Sequence, residues 1–301
     1  MEISQCSPTL PETFSPEPFE IEGADSGPLR LDYYAAPDRE PRDQRSAGPP
    51  RPPVIICHGF RGYKDWGFIP LLASRLAESG IPAFAFSTSG SGIRDRDGAF
   101  VEPQRFRKNT YGREMADLGI VVGWALERLA RNAAGPPRAG LVGHSRGGTL
   151  SLLYAVSDSR IGCVATLGAQ SQLGIWEPDQ VAAWERGDDV SIHDFRTRTR
   201  LSVAPDLWND FKKNRSRYDV ARAVESLAIP LLIAHGDRDK VVSLEHARRI
   251  AAHASQATTE LRIIEGAGHM FQAGDKIRRT PPQLLDMVEA VTAWMRRWLN
   301  A

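Results

Sequence analysis

The sequence contains few cysteines, no excess of charge of one sign and no long apolar run. Its three cysteines, Cys6, Cys57 and Cys163, are odd in number and far apart, which favours neither a disulfide framework nor a zinc site. We interpret Cys57 and Cys163, which lie within apolar runs, as small core residues. The 38 basic and 37 acidic side chains give a net charge of +1, so composition provides no electrostatic basis for binding nucleic acid or acidic membranes.

Signals for membrane insertion and export are lacking as well. No window approaches about 18 uninterrupted apolar residues, so we expect no membrane-spanning helix. Residues 1–20 contain acidic residues and prolines, without the basic start and apolar stretch that a signal peptide has. Together with the low cysteine content, these absences predict a reducing, cytoplasmic setting.

The chain of 301 residues has the length and the ordinary composition of one large α/β domain. We predict a loose Pro-rich arm over residues 1–17. Apolar and polar residues then alternate over residues 19–22 and 29–33, which predicts an antiparallel hairpin. Residues 37–53 are crowded with Pro, Arg, Asp and Gly and predict a mobile connection.

After this connection, short apolar strands alternate with amphipathic helices. The predicted strands cover residues 54–57, 83–86, 139–142, 162–167, 230–234 and 260–264. The predicted helices cover residues 68–79, 109–132, 147–156, 243–254 and 281–299. This alternation is typical of a parallel sheet covered on both faces by helices. Such a sheet places its functional site at the carboxyl ends of the strands, where the polar motifs of this sequence lie.

The alternation breaks over residues 169–228, a polar, Arg-rich stretch that contains a hairpin-like pattern over residues 191–203. We interpret this stretch as a cap inserted between two strands of a core formed by residues 18–168 and 229–301. Its tryptophan and phenylalanine residues are Trp176, Trp184, Phe195, Trp208 and Phe211. These aromatic residues either line an acyl or aryl pocket or anchor the cap. Its arginines, from Arg196 to Arg217, either attract a carboxylated substrate or form a solvated face.

The run Gly143-His144-Ser145-Arg146-Gly147 has the G-x-S-x-G pattern between a predicted strand and a predicted helix. A nucleophilic serine on such a tight turn requires glycine, or nearly so, two residues away on each side, because a larger side chain would collide. The helix that follows directs free N–H groups at developing negative charge. Ser145 is therefore the candidate nucleophile. A glycine-rich turn that happens to hold a serine would leave the next motifs unexplained.

Two further loops carry the candidate acid and base. Asp239 follows the fifth predicted strand of the sheet and His269 follows the sixth, so serine, acid and histidine come in the chain order that accompanies a G-x-S-x-G turn of this kind. A neutral imidazole removes the serine proton only when a carboxylate holds its other nitrogen. Asp237 is a rival acid on the same loop, although we favour Asp239 and assign Asp237 to hydrogen bonds within the turn. Metal binding by His235, Asp237 and Asp239 is an alternative without helical or knuckle spacing to support it.

Backbone N–H groups are the candidate oxyanion hole. The N–H of Arg146, directly after the nucleophile, should provide one donor. The loop after the first parallel strand should provide the second, with Phe60 as the favoured donor and Arg61 as the next choice. We expect His58 and His144 to brace their loops rather than to act as bases.

These residues resemble a known family. The run over residues 58–68, the motif over residues 143–148 and the loops of Asp239 and His269 look like bacterial α/β-hydrolases, in particular serine aminopeptidase-like, dienelactone hydrolase-like and cinnamoyl esterase-like hydrolases. The resemblance implies the α/β-hydrolase fold, a mostly parallel central sheet flanked by helices. It also implies that Ser145 attacks the acyl carbon, with His269 as base and Asp239 as acid. Dienelactone hydrolase itself has cysteine in place of this serine, so its activity is not implied.

The resemblance extends over about residues 50–300. We therefore expect a serine hydrolase that cleaves a carboxylic ester or similar acyl bond through an acyl-enzyme, without a metal or organic cofactor. The expected partner is a small-molecule acyl substrate, not nucleic acid or membrane, and a homodimer is left open. An aminopeptidase or amidase would need an acidic group for the substrate amine, with Glu177, Asp179 and Glu185 as candidates. A non-catalytic small-molecule receptor on this fold is the remote alternative.

Overall fold

The computed structural model describes residues 15–37, 52–94, 97–129, 138–274 and 280–299. The predictions for most of the Pro-rich arm, for most of the connection after the hairpin and for the end of the helix expected over residues 109–132 lie outside these residues. The arm prediction extends too far in one respect, because its last residue, Glu17, already belongs to a strand.

The described strands pair into a central sheet and a separate hairpin. In chain order they are β1 (Glu17–Glu22), β2 (Pro28–Tyr34), β3 (Val54–Cys57), β4 (Ala83–Ser87), β5 (Ala139–His144), β6 (Ile161–Leu167), β7 (Val190–Asp194), β8 (Thr199–Val203), β9 (Leu231–Gly236) and β10 (Thr259–Ile264). The sheet has the order β1-β2-β4-β3-β5-β6-β9-β10, and β7 pairs with β8. The pairs β1–β2 and β2–β4 are antiparallel and the other pairs of the sheet are parallel. The predicted hairpin and parallel sheet are therefore confirmed.

The helices lie on both faces of the sheet. They are α1 (Ile69–Glu78), α2 (Pro103–Arg107), α3 (Tyr111–Leu129), α4 (Arg146–Ala155), α5 (Pro178–Glu185), α6 (Asp206–Lys213), α7 (Val220–Glu225), α8 (Leu244–His253) and α9 (Pro282–Leu299). Buried side chains of α1 and α9 form the core on one face, and those of α3, α4 and α8 form the core on the other. The sequence prediction missed α2, because five residues with a single buried side chain, Phe106, show no periodicity.

The alternating direction of side chains along each strand divides the core between the two faces. In β3, Val54 and Ile56 belong to the core beside α1 and α9, whereas Ile55 and Cys57 belong to the core beside α3 and α4. Every residue of β3 is buried, as expected for a central strand covered on both sides. Cys163 is likewise buried, in agreement with the interpretation of both cysteines as core residues.

The inserted segment connects β6 to β9, which are neighbours in the sheet. It carries α5, the hairpin β7–β8, α6 and α7, and the hairpin lies where the alternating pattern predicted it. Its last helix, α7, packs against α4 and α8, so that part of the insertion joins a helical layer of the core. The exact limits of a separate cap stay a prediction. None of the helices in the described ranges combines the length and apolar character needed to cross a bilayer.

Candidate active site

Ser145 lies at the sharp turn between β5 and α4. Its backbone has φ 54° and ψ −125°, a strained conformation for a residue with a side chain. A Cβ atom at Gly143 would overlap the carbonyl oxygen of Gly147, and one at Gly147 would overlap the carbonyl oxygen of His58. The turn is tied to β6 by a hydrogen bond from the N–H of Ser145 to the carbonyl of Leu167, at 2.8 Å. The steric need for glycine on each side of the serine therefore follows from close backbone approach.

His269 and Asp239 form a hydrogen-bonded pair beside this turn. Nδ1 of His269 lies 2.7 Å from Oδ2 of Asp239. The other carboxylate oxygen accepts the N–H groups of Val241 and Val242, each at 2.8 Å, and Nε2 of His235 lies 3.4 Å from Oδ2. Burial raises the pKa of Asp239, but hydrogen bonds from His235 and His269 outweigh burial and hold the pKa below its usual value. Asp239 is therefore a charged carboxylate at neutral pH.

Asp237 has a different position. Its Oδ1 accepts the N–H of Gly266 at 2.7 Å, which ties the loop after β9 to the loop after β10. The structure thus brings Asp239 to His269 and leaves Asp237 in the turn-stabilising position. Asp237 does not join His235 and Asp239 in a ligand cluster, and the described residues contain no group of three or more His, Cys, Asp or Glu side chains arranged to hold a metal ion.

His58 and His144 are buried and neutral. Nδ1 of His58 donates to the carbonyl of Gly59 at 2.8 Å, because its Nε2 accepts the N–H of Thr88 at 3.1 Å. Nε2 of His144 lies 3.0 Å from the carbonyl oxygen of His269. Burial lowers the pKa of His58 to about 4. Burial, followed by the neighbouring His269, lowers the pKa of His144 to about 3. Both rings brace loops of the site, as expected.

The residues with the expected oxyanion donors line the cavity of the nucleophile candidate. The loop after β3 closes through a hydrogen bond from the N–H of Gly62 to the carbonyl of Gly59, at 3.0 Å, and contains Arg61 at φ 61°. Within the described ranges, the backbone N–H groups of Phe60, Arg61 and Arg146 take part in no hydrogen bond. All three residues line one cavity with Ser145, as an oxyanion hole would require.

This cavity has a volume of about 370 Å³ and also contains His269 in its lining. Its aromatic lining consists of Phe60, Trp66, Tyr111 and Trp176. Its aliphatic and thioether lining consists of Ile175, Val241, Val242 and Met270. None of the described residues that line it is acidic. A cavity with a mostly apolar lining and a few polar groups is typical of a small-molecule site.

The tryptophans of the inserted segment have different surroundings. Trp176 lines the cavity. Trp184 is buried and its Nε1 donates to the carbonyl of Val203 at 2.9 Å. Nε1 of Trp208 donates to Oε1 of Glu185 at 2.5 Å. These hydrogen bonds of Trp184 and Trp208 join parts of the insertion to each other. The arginines from 196 to 217 are absent from the described lining, which contains Arg61 and Arg146 instead.

Sequence reasoning missed a buried ion pair beneath the site. Nη2 of Arg146 lies 2.5 Å from Oε1 of Glu114 on α3, and the side chains are 7% and 5% exposed. Burial raises the pKa of Glu114, while Arg146 and a hydrogen bond from Asn109 oppose that rise. A signal was present, because Glu114 follows Tyr111 by three residues on the apolar face of the helix. A charged residue on that face needs a buried partner.

Comparison with protein families identifies the class of this chain. A family model for the alpha/beta hydrolase fold matches residues 52–206, more than half of the chain, and a model described as serine aminopeptidase, S33, matches residues 212–275. The chain belongs to the α/β-hydrolase fold family and is a hydrolase of that family. The resemblance inferred from the sequence is confirmed.

Solved structures show the same fold at low sequence identity. Est1E of Butyrivibrio proteoclasticus, with ferulic acid bound, is 20% identical, with a TM-score of 0.69 over 94% of this chain and 100% of that one. An esterase domain from Rhodothermus marinus is 17% identical, with a TM-score of 0.61 over 95% and 99%. A puromycin-hydrolyzing peptidase of Mycobacterium tuberculosis is 18% identical, with a TM-score of 0.65 over 97% of this chain and 40% of that one. Comparison with curated protein sequences gives no match.

Proposed function

We propose that the chain is a serine hydrolase that cleaves carboxylic esters with an apolar acyl or aryl group, through a Ser145–His269–Asp239 triad. The observation that carries this proposal is the 2.7 Å pair of His269 and Asp239 in the wall of the cavity that Ser145 also lines. The Asp239 carboxylate accepts a hydrogen bond from the protonated Nδ1 of His269. The unprotonated Nε2 of the imidazole is therefore left to act as the base. The unpaired N–H groups of Phe60 and Arg146 support the same assignment.

The proposed reaction has two steps. His269 takes the hydroxyl proton of Ser145 as its oxygen attacks the ester carbonyl, and Asp239 stabilises the imidazolium that forms. The carbonyl oxygen gains negative charge and accepts the N–H groups of Phe60 and Arg146. His269 then protonates the departing alcohol and leaves an acyl-enzyme. Water, deprotonated by His269, then attacks the acyl carbon. As this second tetrahedral intermediate collapses, His269 returns the proton to the oxygen of Ser145, and the acid is released.

Esters are favoured over aminoacyl substrates by the charges around the cavity. An aminopeptidase needs an acidic group to hold the substrate's ammonium, and the described lining contains none. The candidate acids of α5 lie elsewhere: Glu177 and Asp179 are exposed, and Glu185 pairs with Lys212 at 2.9 Å. The match to a serine aminopeptidase model keeps a peptidase or amidase as the second candidate. A non-catalytic receptor stays the remote alternative.

A turnover comparison tests the proposal. We expect nitrophenyl esters to be hydrolysed with a much higher kcat/KM than aminoacyl nitroanilides, and Ser145→Ala to reduce ester turnover by about 1000-fold or more. Ser157→Ala is the matched control, because Ser157 is an exposed serine after the same helix. Full ester turnover by Ser145→Ala would refute the triad. Faster turnover of the anilides would replace the esterase assignment with a peptidase.

A further inference from the structure

The side chain of Arg146 reaches the loop that holds the other proposed oxyanion donor. We propose that the Arg146 guanidinium, held by Glu114, positions Phe60 so that the two backbone N–H groups keep the spacing that an oxyanion requires. This inference rests on the proposed function, because it concerns the same oxyanion hole. It makes Glu114 and the side chain of Arg146 positioning groups, distinct from the backbone N–H that contacts substrate.

The contact between Arg146 and Phe60 is close. The central guanidinium carbon lies 4.1 Å from the centroid of the Phe60 ring. The same ring stacks on Phe106, with centroids 5.5 Å and planes 26° apart, and meets Trp176 edge-on at 5.8 Å. A cation over a ring face is attracted by the ring's quadrupole, more strongly where water is excluded. The Phe60 ring therefore has a contact with the charged Arg146 guanidinium, and its contacts with Phe106 and Trp176 do not supply this electrostatic attraction.

Arg146 is itself held in place. Its Nη2 contacts Oε1 of Glu114 at 2.5 Å, and Nδ2 of Asn109 donates to the same oxygen at 2.6 Å. The ring of Tyr111 lies 5.5 Å from the guanidinium centre. Separating a buried pair leaves an uncompensated charge away from water, so this geometry resists displacement. The buried carboxylate thus fixes the guanidinium, and the guanidinium contacts the ring.

The loop has a reason to need this contact. Phe60 and Arg61 are the two central residues of a turn that is closed by the hydrogen bond from the N–H of Gly62 to the carbonyl of Gly59. Arg61, at φ 61°, donates from Nη1 to the carbonyl of His193 in the inserted segment, at 2.9 Å. An oxyanion donor is effective only when it is held at the position that the oxygen takes in the transition state. The contact of the Phe60 ring with Arg146 would therefore hold the backbone of residues 59–62 on the side of the turn that faces the core.

A double-mutant cycle separates positioning from ordinary core packing. Arg146→Lys keeps a charge for Glu114 but removes the planar group, and Phe60→Leu removes the ring. We expect each single change to lower kcat about tenfold, with KM changed less than about threefold. The double variant should lose no more kcat than either single variant, because both changes break the same contact. Phe60→Tyr, which keeps the ring, should lower kcat less than Phe60→Leu does.

Arg128 provides a matched control outside the site. Its guanidinium lies 4.3 Å from the ring of Phe19 and pairs with Glu17 at 3.1 Å, so it has the same two kinds of contact. Arg128→Lys should leave kcat unchanged. Hydrogen exchange in residues 59–62, read at the N–H of Gly62 that closes the turn, should be about tenfold faster in Arg146→Lys than in the wild type, and unchanged in Arg128→Lys.

The outcomes are distinguishable from those of the proposed function. Losses of kcat that multiply in the double variant, or unchanged exchange in residues 59–62 with only a lower melting temperature, would overturn the positioning role. Retained ester turnover by Ser145→Ala would overturn the triad instead. In that case the exchange measurement still decides whether Arg146 holds the loop, because it requires no substrate.

Discussion

The loops of the sheet and the inserted segment contribute differently to one cavity. The loops after β3, β5, β9 and β10 hold their polar groups by close backbone approach and buried hydrogen bonds, as at Ser145 and Asp239. The insertion contributes Trp176 and Ile175 to the wall, and hydrogen bonds such as those of Trp184 and Trp208 join its own parts. Under the proposed function, the sheet loops would therefore carry the chemistry and the insertion would shape the space for substrate.

The largest expected effects lie in the core. Asp239→Asn should lower kcat about 1000-fold or more, because His269 loses the carboxylate that orients it and stabilises its charge. Asp237→Asn is the matched change two residues away, and should alter kcat less than about threefold because Asp237 only accepts the N–H of Gly266. Steady-state kinetics on a nitrophenyl ester measures both. Equal losses would remove the distinction between these two acids.

The insertion should affect selectivity more than chemistry. Trp176→Ala removes an indole from the cavity wall, so kcat/KM should fall about 10- to 100-fold for large apolar acyl or aryl esters. For an acetyl ester, which cannot reach the full wall, the loss should stay within about threefold. The ratio of kcat/KM for the two esters is the measurement. An equal loss for both would mean that Trp176 supports the catalytic groups rather than the substrate.

Lowering the pH should reduce the free energy of unfolding, because two buried histidines of the core loops stay neutral in the folded protein. The folded-state pKa values of His58 and His144 are lowered, to about 4 and about 3, by burial in both cases, with His269 contributing at His144. An unfolded chain therefore binds more protons below about pH 6.5, and stability falls as pH decreases. Each histidine should remove about 1–2 kcal/mol from the free energy of unfolding between pH 7 and pH 5. Urea unfolding at both pH values tests this.

The variant His58→Asn provides the control for that titration. It should lose part of the pH dependence, because its amide does not titrate, while the part from His144 remains. An identical pH dependence in the variant and the wild type would show that His58 is not the group that protonates on unfolding.

The smallest expected effect on turnover belongs to the contacts that join parts of the insertion to each other. Trp208→Ala should lower the melting temperature, because Trp208 packs on Phe211 with ring centroids 5.3 Å apart and donates to Glu185. Ester turnover below the melting temperature should stay within about twofold of wild type. A large loss of kcat with intact fold would mean that the insertion takes part in the chemistry as well as in shaping the cavity.

The sequence predicts the core loops better than the insertion for a physical reason. Apolar runs mark β3 and β5, and the turn at Ser145 needs glycines at fixed spacing, so local patterns suffice. The partner of Arg146, by contrast, lies 32 residues earlier on another helix and depends on how α3 packs. The division between Trp176 at the cavity and Trp184 in the core depends on the packing of the insertion, which no periodicity specifies.

The site and rate of labelling by a fluorophosphonate, read by mass spectrometry of the digested protein, test the proposed nucleophile and base together. We expect a single modified peptide with the label on Ser145, and labelling slowed by about 1000-fold or more in His269→Ala. Labelling at another residue, or an unchanged rate in His269→Ala, would refute the proposed triad.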